Sequence, residues 1–521
     1  MELLFETLLI TLVAAFGFSH DGVGSTMWNR PIVIAPLVGL VLGDLRTGIM
    51  TGATLELIWL GAFPIGASCP PEMVSGAIIG TSFVIKSGAD PSAAVALAVP
   101  VATLVLMIKN GLRVLITSPV ICAHADKCAA AGDAKGVERT EQLGWVFEIT
   151  SLSAIVAISY YLGAPFIQDI VASIPPFINH GLQIATGIIP AIGFAMLVKM
   201  IITKDVAAFF FGGFLLSAYL KVPVFGVALM ACVIVSVILT ITKNTNVVLK
   251  EDIIDDKLDK KDLMGVFWRS WRQDAVWNFE RQQNLGSAYT MSRLVGKLYK
   301  DDKEKRARAL QRHLDFMAIT PHLSTLLYGI LAAMEEENAN NSDFDETSIS
   351  AVRASLMGPI AGVGDSLIWG TLRIIAAGIA ISFSAGGSIL GPILFLLIIN
   401  LPSIPLRYVC LFKGYEMGTN FFKKIQDSGI MDTVTYVAST VGLMVIGCMT
   451  ASLVSFEIPL MVGSGDFVQP LQSYLDQIMP ALLPLGVFGV MYFLLGKKVK
   501  TTTILLGTIV LSIVLSYFGI V

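Results

Sequence analysis

Apolar runs long enough to cross a lipid bilayer alternate with short polar breaks over most of this chain. A helix needs about 20 apolar residues to span the hydrocarbon core, and no strand-like alternation is sustained anywhere. The pattern therefore predicts an all-α polytopic membrane protein. The candidate membrane segments lie near residues 3–19, 31–50, 74–88, 93–118, 142–165, 182–201 and 205–242, and again near 366–385, 388–412, 433–456, 478–496 and 501–521.

Several of these runs are short or are interrupted by glycine and proline, which predicts broken or re-entrant helices. Non-helical backbone at membrane depth survives only where protein or a cavity shields it. The run at 205–242 is too long for a single span, and we expect Lys221 and Pro223 to divide it.

The distribution of charge divides the chain into two parts joined by a linker. The polar stretch KNTNVVLKEDIIDDKLDKKD begins at residue 243, and beyond it no membrane-length apolar run occurs until about residue 366. Such a change in composition is typical of a domain boundary. We predict a first membrane domain at 1–242, a linker at 243–262 and a second domain at 263–521, in which 263–350 is a cytoplasmic helical section and 351–521 is the membrane part.

Loops rich in lysine and arginine favour the cytoplasmic side of a membrane. We expect both such loops, and the linker with them, to lie in the cytoplasm. One loop is predicted to carry Lys109, Arg113, Lys127, Lys135 and Arg139, and the other Lys497, Lys498 and Lys500.

Composition supports the membrane assignment and excludes several classes of function. Of the 521 residues, 55% are hydrophobic and only 14% are charged, whereas soluble domains have about 25% charged residues. The mean hydropathy is +0.74. A net charge of −3 is too near neutral to suggest nucleic acid as a partner. The first residues, MELLFETLLITLVAAFGF, lack a basic leader and predict a retained membrane segment rather than a signal peptide.

Metal and cofactor sites are not indicated by any pattern. The six cysteines and five histidines are scattered, without the spacing of a disulfide framework or a metal cluster. Neither a nucleotide-binding glycine motif nor a zinc-protease motif occurs. We therefore expect neither a cofactor nor a bound metal.

The first stretch that could carry chemistry is LGDLRTGIMTGATLELIWLGAFPIGASCPPE, residues 42–72. Gly48, Gly52 and Glu56 fall four residues apart and share one face of a helix. Acids inside a membrane are usually functional, which favours Glu56 as a ligand-binding group. The alternative is a helix-packing face of small residues with Glu56 in a salt bridge. The following Gly66, Ala67 and Ser68 precede two prolines, so backbone groups there are expected to be free to line a site.

The second stretch is DAVWNFERQQNLGSAYTM, residues 274–291. If it is helical, Trp277, Glu280, Gln283, Asn284 and Ser287 share one face. An aromatic ring covers the C–H face of a sugar, while carboxylate and amide groups bind its hydroxyls. The alternative is an ordinary amphipathic surface helix.

The third stretch is MGPIAGVGDSLIWGTLR, residues 357–373. Its glycines and proline predict a non-helical turn, with Asp365 capping the helix that follows. Alternatively, Asp365 faces a polar cavity with Arg373 as an internal cation. GVGD also matches a pattern of intramembrane aspartyl proteases, but the Tyr-Asp partner that such an enzyme needs is missing from the sequence.

These stretches resemble the mannose–fructose–sorbose family of the bacterial phosphotransferase system. Residues 1 to about 250 resemble its membrane subunit IIC through RPIVIAPLVGLVLGDLRTGIMTGATLELIWLG. Residues from about 262 to 521 resemble subunit IID through VWNFERQQNLG, RHLDFMAITPH, MGPIAGVGDSLIWGTLR and GPILFLLIIN. IIC and IID are usually separate polypeptides, and here they are joined through the charged linker.

The resemblance implies sugar uptake by group translocation across the bacterial inner membrane. A IIC–IID pair carries the sugar through the lipid bilayer, and a cytoplasmic IIB subunit passes a phosphoryl group from its own histidine to the sugar. IIA, HPr and phosphoenolpyruvate supply that group upstream. The resemblance also implies a trimer of the joined chain, and IIB could dock on the cytoplasmic section. This chain itself is expected to carry no phosphoryl group.

A neutral sugar must exchange its water for fixed acceptors, because unpaired hydroxyls are costly to desolvate. We predict Glu56 and Glu280 as the main acceptors. The further predicted contacts are the amides of Asn278 and Gln283, backbone at Gly66, Ala67 and Ser68, and, more weakly, Asp21, with Asp365, Trp277 and Trp369 supporting the site.

A competing hypothesis is an ion-coupled secondary transporter that uses the same acids for H⁺ or Na⁺ and releases unmodified sugar. A membrane receptor or structural protein explains neither the polar helix faces nor the broken helices.

Overall fold

The fold is known from a computed structural model of the 521-residue chain. The structure describes residues 1–59, 70–163, 175–188, 190–222, 224–242, 258–425, 430–462, 469–499 and 501–519.

In the described residues of the first part, helices are the regular secondary structure. A short 3₁₀ segment, Ser19–Gly22, follows the first helix, and a second one precedes the fifth. The helices are α1 Glu2–Phe18, α2 Pro31–Leu42, α3 Leu45–Ile58, α4 Met73–Ser87, α5 Ala94–Leu112, the π-helix Arg113–Cys122, α6 Ala123–Ala130, α7 Ala134–Leu162, α8 Pro176–Ile188, α9 Pro190–Ile201, α10 Ala207–Leu220 and α11 Val224–Thr242.

The described residues of the second part are mainly helical too, with one short antiparallel ribbon, β1 Met461–Val462 with β2 Gln469–Pro470. The helices are α12 Lys260–Arg269, α13 Asn284–Leu298, α14 Lys303–His313, α15 Ser324–Asn340, α16 Thr347–Gly364, the π-helix Asp365–Leu372, α17 Arg373–Ser384, α18 Leu390–Ile425, α19 Ile430–Leu453, α20 Leu471–Ile478, α21 Leu482–Gly496 and α22 Thr501–Tyr517.

The all-α membrane class is confirmed. Among the described residues, five helical stretches are long and apolar enough to cross a membrane, and α20 with α21 forms a further candidate that is bent by 82°. Two of the five stretches, Pro91–Ala130 and Thr347–Ser384, each contain one of the π-helices.

Two of the predicted segments are divided by turns. The segment 31–50 is not one helix, because Gly43 takes a left-handed φ of +80° and Asp44 caps the next helix through the amide of Thr47. The segment 205–242 is divided as predicted, since α10 ends at Lys221 with a left-handed φ of +52°.

The basic loop predicted around residue 113 is wrong at its start. Lys109 lies in α5, and Arg113 opens the π-helix that continues the same rod. A continuous helix tolerates both charges because Glu148 of α7 accepts hydrogen bonds from them. The turn of this region falls later, at Gly132 and Asp133 before α7.

Helices of the two parts pack against each other, although one buried cluster, which includes Ile34, Leu55 and Val74, belongs to the first part alone. Four helices of the first part make such contacts with the second part: α10 and α11 pack on α19, α8 packs on α22, and α9 packs on α21. One buried cluster joins residues from both parts, including Phe194, Phe210, Val276, Met357 and Phe488. The chain therefore folds as one interleaved body across its two predicted domains.

A loop that follows α1 ties the first part to the second. Gly24 donates its amide to the Trp271 carbonyl at 2.7 Å, and its own carbonyl accepts from Arg407 at 2.7 Å. The next two residues continue the contact, since Ser25 donates to Asp274 at 2.7 Å and the Thr26 carbonyl accepts from Asn400. We call residues 24–26 the crossing loop.

Ion pairs join the two parts at the end occupied by α6 and α7. Acidic side chains of the first part face arginines of the section that opens the second part. The pairs are Glu138–Arg269 at 3.0 Å, Glu141–Arg272 at 3.0 Å and Asp126–Arg281 at 2.8 Å.

Candidate functional site

A cavity of about 190 Å³ lies between the two parts of the chain. Polar and charged groups from both parts face it, and apolar side chains of α9 and α19 complete its wall. Its polar lining comprises His20, Asp21, Asn29, Arg30, Glu72, Lys109 and Arg113 from the first part, and Asp274, Gln282, Gln283, Thr320, Asp365 and Arg373 from the second, with the rings of Trp277 and Trp369.

Arg30 forms part of this wall through a fixed set of bonds. Its guanidinium donates to Glu56 Oε1 from Nε at 2.9 Å and from Nη2 at 2.6 Å, and Nη2 also donates to the Trp59 carbonyl at 2.8 Å. Glu56 is fully buried and Arg30 is 3% exposed. Two glycines of α3 make room for this contact: a Cβ on Gly52 would lie 2.9 Å from the Pro31 carbonyl oxygen. The small-residue face of α3 thus packs on α2.

Lys109 and Arg113 lie one turn apart on a neighbouring stretch of the wall. Both bind the same oxygen, Glu148 Oε1, at 3.5 Å and 2.8 Å. The Arg113 guanidinium also lies over the ring of Trp277, 4.9 Å from its centroid. A ring from the second part therefore orients a cation of the first.

Asp274 stands where the two parts meet on the cavity wall. Its Oδ2 accepts from Ser25 of the crossing loop at 2.7 Å, and its Oδ1 accepts from Gln283 Nε2 at 2.6 Å. Burial, and then the nearby carboxylate of Asp21, raise the pKa of Asp274 to about 7. This carboxyl group therefore changes its charge close to neutral pH.

Gln283 is held in one orientation by backbone and side-chain partners. Its Nε2 donates to the Ile319 carbonyl at 2.9 Å and its Oε1 accepts from the Ile319 amide at 2.8 Å. Gln273 donates to the same Oε1 at 3.2 Å. The Gln283 amide thus fixes Asp274 against the segment that carries Thr320.

The predicted turn around Asp365 is wrong, because the backbone there is helical. α16 runs through Gly364, and Asp365 opens a π-helix with φ −63° and ψ −41°. Its Oδ1 accepts from Thr320 Oγ1 at 2.6 Å. Gly364, the residue before it, lets Thr320 come this close, since a Cβ on Gly364 would lie 2.5 Å from the Thr320 Cβ. Asp365 therefore faces the cavity from within a helix and caps nothing, as in the alternative that the sequence left open.

Family models match both parts of this chain. The model described as the PTS system mannose/fructose/sorbose family IID component matches residues 257–521, and the one described as the PTS system sorbose-specific IIC component matches residues 4–237. The chain belongs to the mannose/fructose/sorbose family of the phosphotransferase system.

Curated relatives agree with each half separately. The mannose-specific EIID component of Escherichia coli K12 is 36% identical over 265 residues, covering 50% of this chain and 93% of that protein. The sorbose-specific EIIC component of Klebsiella pneumoniae is 34% identical over 223 residues, covering 41% and 82%. A chain of a solved structure, described as the mannose transporter ManYZ in complex with microcin E492, is 35% identical with a TM-score of 0.49, covering 51% of this chain and 99% of that one.

The family assignment gives the joined chain its function. It is a IIC–IID sugar permease of the phosphotransferase system, a multi-pass protein of the bacterial inner membrane. IIC and IID components work with IIB and IIA subunits on a sugar substrate. The resemblance seen in the sequence is thereby confirmed.

The cavity brings together five of the side chains predicted for the sugar site, and Arg373, named as a possible internal cation, lines it too. The five are Asp21, Trp277, Gln283, Asp365 and Trp369. Gly66, Ala67 and Ser68 lie outside the described residues.

Glu56, Asn278 and Glu280 are placed elsewhere than the cavity lining. Glu56 lies behind Arg30, as the salt-bridge alternative supposed. Residues 274–283 are not the predicted helix, because Gln282 takes a φ of +50° and α13 begins only at Asn284. Asn278 stabilises this turn, donating to Asn284 Oδ1 at 2.7 Å and accepting from the Arg281 amide at 2.8 Å.

Several cavity groups were missed by sequence reasoning. Asp274 is the first residue of the stretch 274–291, but the helix predicted there put Glu280, and not Asp274, on the polar face. Glu72 closed another stretch, and in the structure it caps α4 by accepting from the amides of Val74 and Ser75. Lys109 and Arg113 were assigned to a loop because they are charged. The signal for a helix was Glu148, an acid within another apolar segment that could pair with both cations.

Proposed function

We propose that the sugar binds in the cavity between the IIC part and the IID part, with Asp274 as its principal charged acceptor. The observation that carries this proposal is the convergence of polar groups from both parts beside the Trp277 ring. A site built from both parts requires the joined pair for binding, which fits a permease that operates as IIC with IID. Asp21 and Gln283 add acceptors and donors around the sugar.

Carboxylates suit this role because a hydrogen bond to a charged acceptor contributes about 1.5–3 kcal/mol. Asp274 is already aimed by Ser25 and Gln283, so little side-chain freedom is lost when a hydroxyl binds. The aromatic ring of Trp277 offers an apolar surface for the C–H groups of the sugar. Glu56, in this proposal, acts through Arg30 and does not touch the sugar.

The substrate class that we propose is a hexose. The relatives named above are described as mannose-specific and sorbose-specific, so a single sugar does not define the family. The test is calorimetry of the purified chain with mannose, glucose, fructose, sorbose and glucosamine. Absence of binding by all five would contradict a hexose site.

The acceptor role is tested with matched carboxamide variants. Asp274→Asn should weaken binding of the best sugar about 10- to 100-fold, because the charged acceptor is lost while the volume is kept. Asp301→Asn removes an exposed carboxylate in the loop before α14 and is the control. A thermal-unfolding scan checks that each variant is folded. If Asp274→Asn binds the sugar as tightly as wild type does, Asp274 is not the principal acceptor.

We further propose a homotrimer, which the family resemblance implies for the joined chain. Native mass spectrometry of the chain extracted with its lipids should show three copies. A mass corresponding to one or two copies would contradict it.

The docking position that we propose for IIB is the section that opens the IID part. Its helix α14 carries exposed charges, among them Lys303, Glu304 and Arg308, whereas the Arg269, Arg272 and Arg281 side chains are engaged by the IIC part. Photo-crosslinkers placed on α14 should capture IIB, and crosslinkers on the β1–β2 ribbon should not.

A further inference from the structure

We infer that Lys109 and Arg113 form an anion subsite of the cavity, which binds the phosphate group of the sugar phosphate. This inference rests on the proposed sugar site, because it places the phosphate at one side of that site. The sugar enters neutral and leaves as a phosphate monoester with about two negative charges near neutral pH. The cavity therefore needs cations that line it, where phosphate oxygens can reach them.

The two cations share an acid. Lys109 and Arg113 both bind the oxygen Glu148 Oε1, so one carboxylate faces two positive charges. Asp21, a carboxylate of the cavity lining, is paired with His20 at 3.0 Å. A phosphate group supplies oxygens enough for both cations at once.

Burial and geometry make this pair a built site rather than a solvated surface pair. The side chains of Lys109, Arg113 and Glu148 are only 16%, 9% and 17% exposed, and both cations line the cavity. Lys109 and Arg113 follow each other by four residues, so their side chains leave the helix on the same face. A π-helix begins at Arg113, and such segments often occur at functional sites.

The position of the pair relative to the sugar follows from Trp277. Arg113 lies over the ring that we propose as the sugar platform, so a sugar held beside that ring has Arg113 next to it. Arg30 is a poorer candidate, because Glu56 takes two of its donors in a one-to-one pair. The phosphate is therefore expected beside α5 rather than beside α2.

The experiment titrates inorganic phosphate, and separately mannose, into the full chain in nanodiscs. The variants are Lys109→Gln, Arg113→Gln and Arg113→Lys, with Lys127→Gln as a control on an exposed lysine of α6. Binding is measured by calorimetry, and a thermal scan without ligand checks folding. Arg113→Lys keeps the charge and separates a charge effect from a packing effect.

Support for the subsite is a phosphate affinity that falls at least about tenfold more than the mannose affinity in Lys109→Gln and Arg113→Gln. Arg113→Lys should recover most of that loss, and Lys127→Gln should match wild type. The inference is overturned if wild type does not bind phosphate, or if the two glutamine variants bind it as wild type does. If phosphate binding depends on the pair while no hexose binds, the proposed sugar site fails and the anion subsite stands.

Discussion

Arg30, a residue of the cavity wall, forms a buried ion pair with Glu56. Its two bonds to Glu56 pair the charge of that fully buried acid, and Nη2 also holds the carbonyl of Trp59 at the end of α3. A buried charge that loses its partner is far more costly than an exposed one. Glu56 does not line the cavity, but it can affect a ligand there because it holds Arg30, which does.

Glu56→Gln should lower the stability of the folded chain strongly. The amide cannot neutralise Arg30, and breaking a buried ion pair costs about 3–5 kcal/mol. Glu416→Gln is the control, because its pair with Lys413 at 2.6 Å is more than half exposed and such pairs contribute about 0–1 kcal/mol. Thermal unfolding of the two purified variants in detergent compares them. An unchanged midpoint for Glu56→Gln would show that Arg30 finds another acceptor.

Asp274 should make sugar affinity depend on pH near neutrality. Its raised pKa of about 7 keeps it protonated in mild acid, and a neutral carboxyl is the weaker acceptor. Affinity should therefore rise between about pH 6 and about pH 8, by up to roughly tenfold. Asp21 and Arg407 act on the same carboxyl, so Asp274→Asn is needed to isolate it. A pH dependence that survives in that variant would assign the titration to another group.

At the scale of elements, two apolar rods are each interrupted by a π-helix that opens on a cavity residue. One opens at Arg113 and the other at Asp365. A π-turn widens the helix and changes the direction of the side chains that follow without ending the rod. Each rod thus presents a charged side chain to the cavity while its backbone hydrogen bonds stay within the helix.

Gly24→Ala should weaken the contact between the two parts. Gly24 has a φ of +81°, and a Cβ there would lie 2.7 Å from Trp271 Cε3. Gly43 is a matched control, since its φ is +80° but a Cβ on it meets nothing within 4 Å. Both alanines carry the same backbone cost, so the extra loss in Gly24→Ala, about 1–3 kcal/mol, reports the clash alone. Thermal midpoints measure it, and equal midpoints would show that Trp271 moves aside.

Much of the element pattern follows from the sequence, since hydropathy and helix length carry it. The division of 205–242 at Lys221 was predictable from a charge beside a proline. The helical course through Gly358–Gly364 was not, because Gly358 and Gly364 face Gly442 and Thr320 of other chain segments, and Pro359 is accommodated within the helix. Site residues such as Asp274 depend on contacts some 250 positions away, as with Ser25, and such contacts leave no local signal.

At the scale of the whole molecule, the two parts share cores, ion pairs and a cavity, so the linker adds little to what holds them together. Phe194 and Val276 lie in one buried cluster, and the crossing loop bonds to four residues of the second part. Interfaces of this kind keep their partners associated without a tether.

Cutting the chain between about residues 250 and 257 should leave an active permease. The cut must precede Leu258, which is buried and donates its amide to Glu336, and Asp259, which caps α12. A charged linker without apolar periodicity connects the two parts but has no apolar face to pack on either of them. Co-expressed halves should copurify and bind the same sugar with unchanged affinity. Halves that insert into the membrane separately but fail to copurify would show that the linker has a structural role.

The chain itself should carry no phosphoryl group. Its histidines and cysteines lie in no recognisable phosphocarrier setting, and the family resemblance places that histidine on IIB. Incubation with labelled phosphoenolpyruvate and the soluble components should label those components and the sugar. A stable phosphohistidine or phosphocysteine on the washed membrane chain would contradict this expectation.

The crossing loop sets an order of events during synthesis. Gly24 leaves the ribosome early, but Arg407, which binds its carbonyl, is 383 residues further along the chain. At about 5–20 residues per second, roughly 20–80 seconds pass before that partner is made. In the interval the carbonyl lacks the partner that it binds in the folded chain, and the Ser25 hydroxyl waits likewise for Asp274. A nascent IIC part is therefore complete in sequence well before it is complete in structure.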